Sequence, residues 1–190
     1  MNEYITDEVR ALIGVWSPPR TAVHPIEKGI VRRFYQAVGD VNPLYWDKEL
    51  AAKSKYGGVI APALFTPFAF DLPDGVPDPI EGKGADPDYQ GYGRPDTRGE
   101  GEPPSLPPVP IPLGRGLNAG PEQEIYGYPQ VGDVITAKSR YYDIYQQRGS
   151  SGTMIFTVSE TVYTNQRGEV LLVSKGRSVR YPIEKKDEES

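Results

Sequence analysis

Between Val38 and Asp47 the chain sets an acid (Asp40), an amide (Asn42), a rigid Pro43 and a phenol (Tyr45) close together. A carboxylate beside polar neighbours can hold a water and move a proton. Proton transfer at neutral pH favours a histidine, and the cluster contains none. Tyr45, with an ordinary pKa of about 10, is a poor general base, and Asp40, ordinarily near about 4, is a weak one. Asp40 and Asn42 are also the residue types of an Asx-type turn, in which a short polar side chain bonds a nearby backbone amide. Two readings stand side by side: a proton-transfer site and a rigid turn.

The elements around the cluster follow from apolar periodicity. Val9, Leu12, Ile13 and Val15 suit a short amphipathic helix over 5–15, ended by Pro18 and Pro19. Residues 21–24 suit a short strand. Ile26, Ile30, Val31, Phe34, Ala37 and Val38 recur at helical spacing and predict a helix over 26–38, stopped by Gly39. Asp47 is placed as the N-cap of a further short helix. Residues 59–72 are strongly apolar and contain Pro62 and Pro67. They predict a buried central helix, with Pro62 near its first turn and a kink at Pro67.

Residues 73–121 differ in kind. They hold most of the chain's 20 prolines, many glycines and charges, and few aliphatic residues. Such a stretch reads either as a surface insertion or as an ordered arm packed on a partner subunit. Residues 105–113, rich in Pro, suit an extended polyproline II arm. Four strand patterns follow, over 122–128, 134–145, 153–165 and 169–181, joined by short Gly-containing turns. Helices first and an antiparallel meander second make an α+β class. The expectation is one domain over 1–190, with the insertion at 73–121 and a charged tail at 183–190.

Composition narrows the function classes. A net charge of −5 disfavours nucleic acid and anionic membranes as partners. With no cysteine there are no disulfides, thiolate metal sites or cysteine nucleophiles. The N-terminus lacks the pattern of a signal peptide, and no window approaches the length of a membrane span, so a cytoplasmic location is expected. His24 is the chain's single histidine and cannot make a metal cluster alone. Nothing in its spacing aims it at a site, and a surface or strand-edge position is expected. Trp16 and Trp46 suit packing anchors. Arg32, Arg33, Lys53 and Lys55 suit a solvated face, with phosphate contacts as the sharper alternative.

The segment GDVNPLYWD ahead of an apolar segment resembles the MaoC-like hydratase/dehydratase family, whose signature reads roughly GDxNPxHxD. Gly39, Asp40, Asn42, Pro43 and Asp47 match, and Tyr45 stands where the family has its histidine. The resemblance continues through YGGVIAPALF, where the family usually carries His-Gly and this chain has Pro62-Ala63, and through the strand series from Pro129 onward. Both departures resemble the FAS1-like dehydratase N-terminal variant, in which one hot dog keeps the histidine and the other has lost it.

The resemblance implies a hot-dog fold, a central apolar helix wrapped by an antiparallel sheet. It implies a subunit of a heteromeric (R)-specific enoyl-CoA hydratase or 3-hydroxyacyl-thioester dehydratase, with the Asp/His pair on a MaoC-like partner. The substrate would be an acyl-CoA or acyl-carrier-protein thioester. This chain would supply interface and acyl tunnel, with Pro62, Ala63, Leu64, Phe65 and Phe68 as substrate-binding candidates and Asp40, Asn42 and Tyr45 as a degenerate catalytic set. No metal or redox cofactor is implied, since hydration is proton chemistry with water. Two rivals remain: a homodimeric, non-catalytic acyl-CoA-binding protein, and a homodimeric hydratase that uses Asp40.

Overall fold

A computed structural model describes residues 3–70, 75, 106–114, 116–150 and 152–182. The described elements are α1 (Asp7–Arg10), β1 (Arg20–Thr21), α2 (Lys28–Ala37), a 3-10 turn at Pro43–Tyr45, α3 (Lys48–Lys53), a 3-10 segment at Ala63–Phe68, and strands β2 (Leu117–Ile125), β3 (Thr136–Gly149), β4 (Gly152–Thr164) and β5 (Val170–Arg180). The expected order of helices and then an antiparallel sheet is what the chain adopts. The strands form one sheet in the order β1-β3-β4-β5-β2, every pairing antiparallel. The four strands lie near their expected ranges, but only β3, β4 and β5 form the expected meander: β2 pairs with β5 and not with β3, which puts it at the far edge of the sheet. β2 begins earlier, at Leu117, so the end of the 73–121 stretch belongs to the sheet.

Residues directly opposite in an antiparallel ladder share a face. Tyr163 lies opposite Ala137 and Leu172, and Ile155 opposite Gln146 and Arg180, on the same side of β4 because their spacing is even. Two apolar clusters cover this face. Ala22, Ile26, Val31, Ala61, Phe65, Ala69, Ile135 and Leu171 form the first, with Phe34, Tyr35, Phe70 and Tyr163 against it. Ile5, Val9, Ile111, Ile144 and Ile155 form the second, with Val109, Leu113 and Tyr141. α2 therefore packs by one stripe, and α1 by Val9, which is wholly buried.

Three local expectations change. The predicted central helix over 59–72 is a 3-10 segment, Ala63–Phe68, with Pro62 as its cap residue. Pro67 has no N–H, so the α-helical bond that would return to the Ala63 carbonyl cannot form. The Thr66 hydroxyl donates to that carbonyl instead, at 2.7 Å. Residues 71 and 72 lie outside the described ones. The expected 5–15 helix is a single α turn, with Thr6 as N-cap, and the expected strand over 21–24 is reduced to Arg20–Thr21. The part of the Pro-rich arm that is described, 106–113, packs on its own chain. Val109, Ile111 and Leu113 pack into the second cluster, and the Tyr141 hydroxyl donates to the Pro107 carbonyl at 2.8 Å. Residues 73–74 and 76–105, residue 115 and the tail at 183–190 lie outside the described residues.

Candidate active site

α2 ends where glycine is needed. Gly39 has φ +71°, and beyond it the Asp40 amide donates back to the Tyr35 carbonyl at 2.9 Å. Asp40 then starts two consecutive side-chain-capped turns. Its Oδ1 accepts from the Asn42 amide at 3.1 Å, and Asn42 Oδ1 accepts from the Leu44 amide at 3.1 Å. Asn42 thereby caps the 3-10 turn, with Pro43 at its first position, where a missing N–H is harmless. Asp47 caps α3 as expected, accepting from the Glu49 and Leu50 amides at 3.0 Å each.

Tyr45 completes the cluster. Its hydroxyl donates to Asp40 Oδ2 at 3.0 Å, so both carboxylate oxygens of Asp40 have protein partners. The Tyr45 side chain is buried and stacks on Tyr35, with ring centroids 5.9 Å apart. Burial, then the hydrogen bond and charge of Asp40, push the Tyr45 pKa up to about 12. Tyr45 is therefore a neutral donor throughout the ordinary pH range and not a base. The geometry joins the two sequence readings: Asp40, Asn42 and Tyr45 do converge, and what they build is a satisfied turn.

The second set of candidates divides. The Ile60 amide donates to the Leu44 carbonyl at 3.2 Å and the Ala61 amide to the Pro129 carbonyl at 2.7 Å, which holds the 60–63 segment against the turn and the sheet. Pro62 and Ala63 are buried there. Phe65 is buried edge-on to Phe34, at 5.5 Å, and Phe34 also meets Phe68 at 5.2 Å. Leu64 and Phe68 are 46% and 61% exposed, which leaves apolar surface open on this side of the molecule.

Phe65 and Phe68 line a cleft of about 270 Å³ together with His24, Pro25, Ile26, Glu27, Ile30 and Ala69. Pro62, Ala63 and Leu64 are not on its lining. His24 was expected at a surface or strand edge unconnected to any site. It is half-buried close after β1, and it shares an open cleft with two of the predicted substrate-binding phenylalanines. No spacing signal announced this, because a bend at Val23–His24 between β1 and α2, not helical periodicity, carries His24 there. The repeat of Ile26 and Ile30 was the part of the wall legible in advance.

The remaining candidates are peripheral. Arg32, Arg33 and Lys53 are exposed, and Lys55 lies over the Tyr56 ring at 5.1 Å. Trp16 anchors Arg140, whose guanidinium sits 4.6 Å from its ring, whereas Trp46 is 50% exposed. No helix among the described residues is long and apolar enough to cross a membrane.

Comparison with solved structures places the fold. One chain of the ChsH1-ChsH2 complex from Mycobacterium tuberculosis superposes with a TM-score of 0.65 at 18% identity, covering 94% of this chain and 92% of that one. A chain of the C-terminally truncated HadBC (3R-hydroxyacyl-ACP dehydratase) complex from the same organism gives 0.55 at 16% identity, covering 88% and 96%. The (R)-hydratase from A. caviae gives 0.52 at 13% identity, covering 86% and 95%. No curated protein matches the sequence. The family model for the FAS1-like dehydratase domain region matches residues 11–173. With the fold of the MaoC-like dehydratases and a family match over most of its length, the chain belongs to the FAS1-like dehydratase family of hot-dog proteins.

Proposed function

We propose that this chain is the non-catalytic hot-dog subunit of a heteromeric (R)-specific enoyl-thioester hydratase/3-hydroxyacyl-thioester dehydratase. A MaoC-like partner carries the Asp/His pair, and this chain supplies interface and acyl wall. One observation carries the reading. At the position where the related signature has histidine stands Tyr45, buried, neutral and donating to Asp40. Hydration of an enoyl thioester needs a group that deprotonates water and a group that protonates the alpha carbon. A phenol held near pKa 12 does neither efficiently at neutral pH, and Asp40 is already an acceptor for two protein donors.

Two further findings support a partner. The ChsH1-ChsH2 and HadBC complexes, which share the fold, are assemblies of two different subunits. On this chain Val41, Trp46, Leu50 and Leu64, in or near the degenerate turn, are exposed apolar side chains. Phe65, Phe68 and Leu64 are the residues of that side assigned to the acyl wall, with CoA or carrier-protein thioesters as the substrate class.

The experiment is reconstitution. The isolated chain is expected to give no hydration of crotonyl-CoA. Co-expression with a MaoC-like subunit that retains Asp and His is expected to give an active complex whose turnover is little changed by Asp40→Asn. Turnover by the isolated chain that is abolished by Asp40→Asn would sink the proposal in favour of a self-sufficient hydratase. A stable homodimer that binds acyl-CoA and is activated by no such partner would instead make it a binding protein.

A further inference from the structure

The two apolar clusters occupy one face of the sheet, that of Ile155 and Tyr163. The even-numbered residues of β4 point to the opposite, outer face, and neither cluster includes a side chain from it. Side chains there fall into rows across β2, β5, β4 and β3, because ladder partners share a face. One row is Glu122, Lys175, Glu160 and Arg140. The next is Glu124, Val173, Val162 and Lys138. A third, further along the strands, is Leu117, Val179, Phe156 and Tyr145.

Each row, reversed, is its own complement. The first runs acid, base, acid, base. The second carries an acid at one end, a base at the other and two valines between them. The third is apolar throughout. A two-fold axis along the mean strand direction, between β4 and β5, lays β2 of one copy over β3 of the other and β5 over β4. Every row then faces itself reversed. Glu122 meets Arg140, Lys175 meets Glu160 and Glu124 meets Lys138, each pair made twice. Leu117 meets Tyr145, and Val179 meets Phe156. Contact of one residue with another and of that other with the first is the pattern of an isologous interface. Aligned sheets pack about 10 Å apart and cross at about 30°, offsets that long Lys, Arg and Glu side chains span.

The charged row is also held ready. Arg140 donates to one Glu160 oxygen through Nε at 2.7 Å and Nη2 at 2.6 Å. Its guanidinium lies 4.6 Å from the Trp16 ring, and the Lys175 ammonium lies 4.3 Å from the Tyr142 ring. Side chains fixed in this way lose little freedom on association. Trp16, Tyr142 and Leu117 are nonetheless exposed, and aromatic and aliphatic surface of this kind is what interface centres bury.

We propose that the outer face of the sheet joins two copies of this chain in an isologous dimer, with each row of one copy paired to the reversed row of the other. The helical side stays free for the partner assigned to it above, and the inference does not depend on the hydratase reading.

Sedimentation equilibrium of the purified full chain tests it. A particle of twice the 21.0 kDa chain mass is expected. Lys138→Glu sets like charges together at two symmetry-related places, and so does Glu124→Lys. Each is expected to weaken the dimer by about tenfold or more. The double variant, Lys138→Glu with Glu124→Lys, exchanges the signs and is expected to return the dimer to within about threefold of the parent. Three strand spacings of about 4.8 Å hold these two side chains about 14 Å apart within one copy, so the rescue reports contact between copies. Both are exposed, and circular dichroism checks that the fold is kept. Trp46→Glu combined with Leu64→Glu, on the helical side, is expected to leave this dimer intact. A parent that is monomeric at about 0.1 mM overturns the proposal. So do single variants that dimerise as the parent does, a double variant that stays monomeric, or loss of the dimer with the helical-side variant.

Discussion

The Tyr45 hydroxyl is the single polar contact that most defines the degenerate site. Tyr45→Phe removes the donor to Asp40 Oδ2 and leaves the stacking on Tyr35 in place. Loss of a hydrogen bond to a charged acceptor lowers stability by about 1–2 kcal/mol, read as a lower urea midpoint with an unchanged slope. The pH dependence has a definite sign. The folded-state pKa of about 12 lies above the unfolded value of about 10, so the native state holds this proton more tightly. Its stabilisation is complete below about pH 10 and is lost as pH rises towards about 12. The difference between parent and Tyr45→Phe should therefore narrow over that alkaline interval, as followed by unfolding at successive pH values. Equal alkaline sensitivity of both proteins would show that Tyr45 does not titrate as described. Gly39→Ala tests the backbone beside it. At φ +71° with nothing within 4 Å of an added Cβ, the expected loss of about 1–2 kcal/mol is conformational and not steric. Much of this cluster was legible in the sequence, since Gly after an apolar helical run and Asx residues before Pro have few other uses. What sequence did not carry was the direction of the Tyr45 hydroxyl, which decides between catalytic and structural roles.

Among the elements, the strands were the most readable, because β-formers between Gly-containing turns leave few alternatives. The 59–72 segment was misread for a physical reason. Its apolar content is that of a buried helix, but Pro67 deletes one backbone donor, and Thr66 offers the orphaned Ala63 carbonyl a side-chain substitute. Apolarity reported burial correctly, as Phe65 and Thr66 show, and said nothing of hydrogen-bond geometry. The 106–113 segment, offered by the sequence as an extended arm, also packs on the chain's own core. Its prolines concealed alternate apolar positions, Val109, Ile111 and Leu113, that close the second cluster over Ile144 and Ile155. If that packing belongs to the chain itself, Ile111→Ala should destabilise the isolated protein by about 2–4 kcal/mol, the range for truncating a buried aliphatic side chain. Thermal unfolding of the purified chain measures it. A loss under about 0.5 kcal/mol, the scale of a surface substitution, would return the segment to the role of an arm awaiting a neighbour.

At the scale of the whole molecule two surfaces compete to receive a partner. One is the free edge of the sheet, β2, exposed along its whole length. An open edge invites pairing, and this one carries the features that discourage it: Gly120 and Pro121 at a break in register, then Glu122 and Glu124. The other is the apolar surface of the helical side, where Trp46, Leu50 and Leu64 lie 44–50% exposed near the degenerate turn. Aromatic and aliphatic side chains left open together are what a desolvated interface centre requires, whereas a charged, proline-interrupted edge suits solvent. The helical side is therefore expected to receive the proposed MaoC-like subunit. Trp46→Glu combined with Leu64→Glu should abolish co-purification with that subunit and leave the circular dichroism of the isolated chain unchanged, because neither side chain is buried in it. Glu122→Lys on β2 should leave the complex intact. Loss of the complex with Glu122→Lys and its survival with the double variant would reverse the assignment and place the partner along the sheet edge, away from the Tyr45 turn.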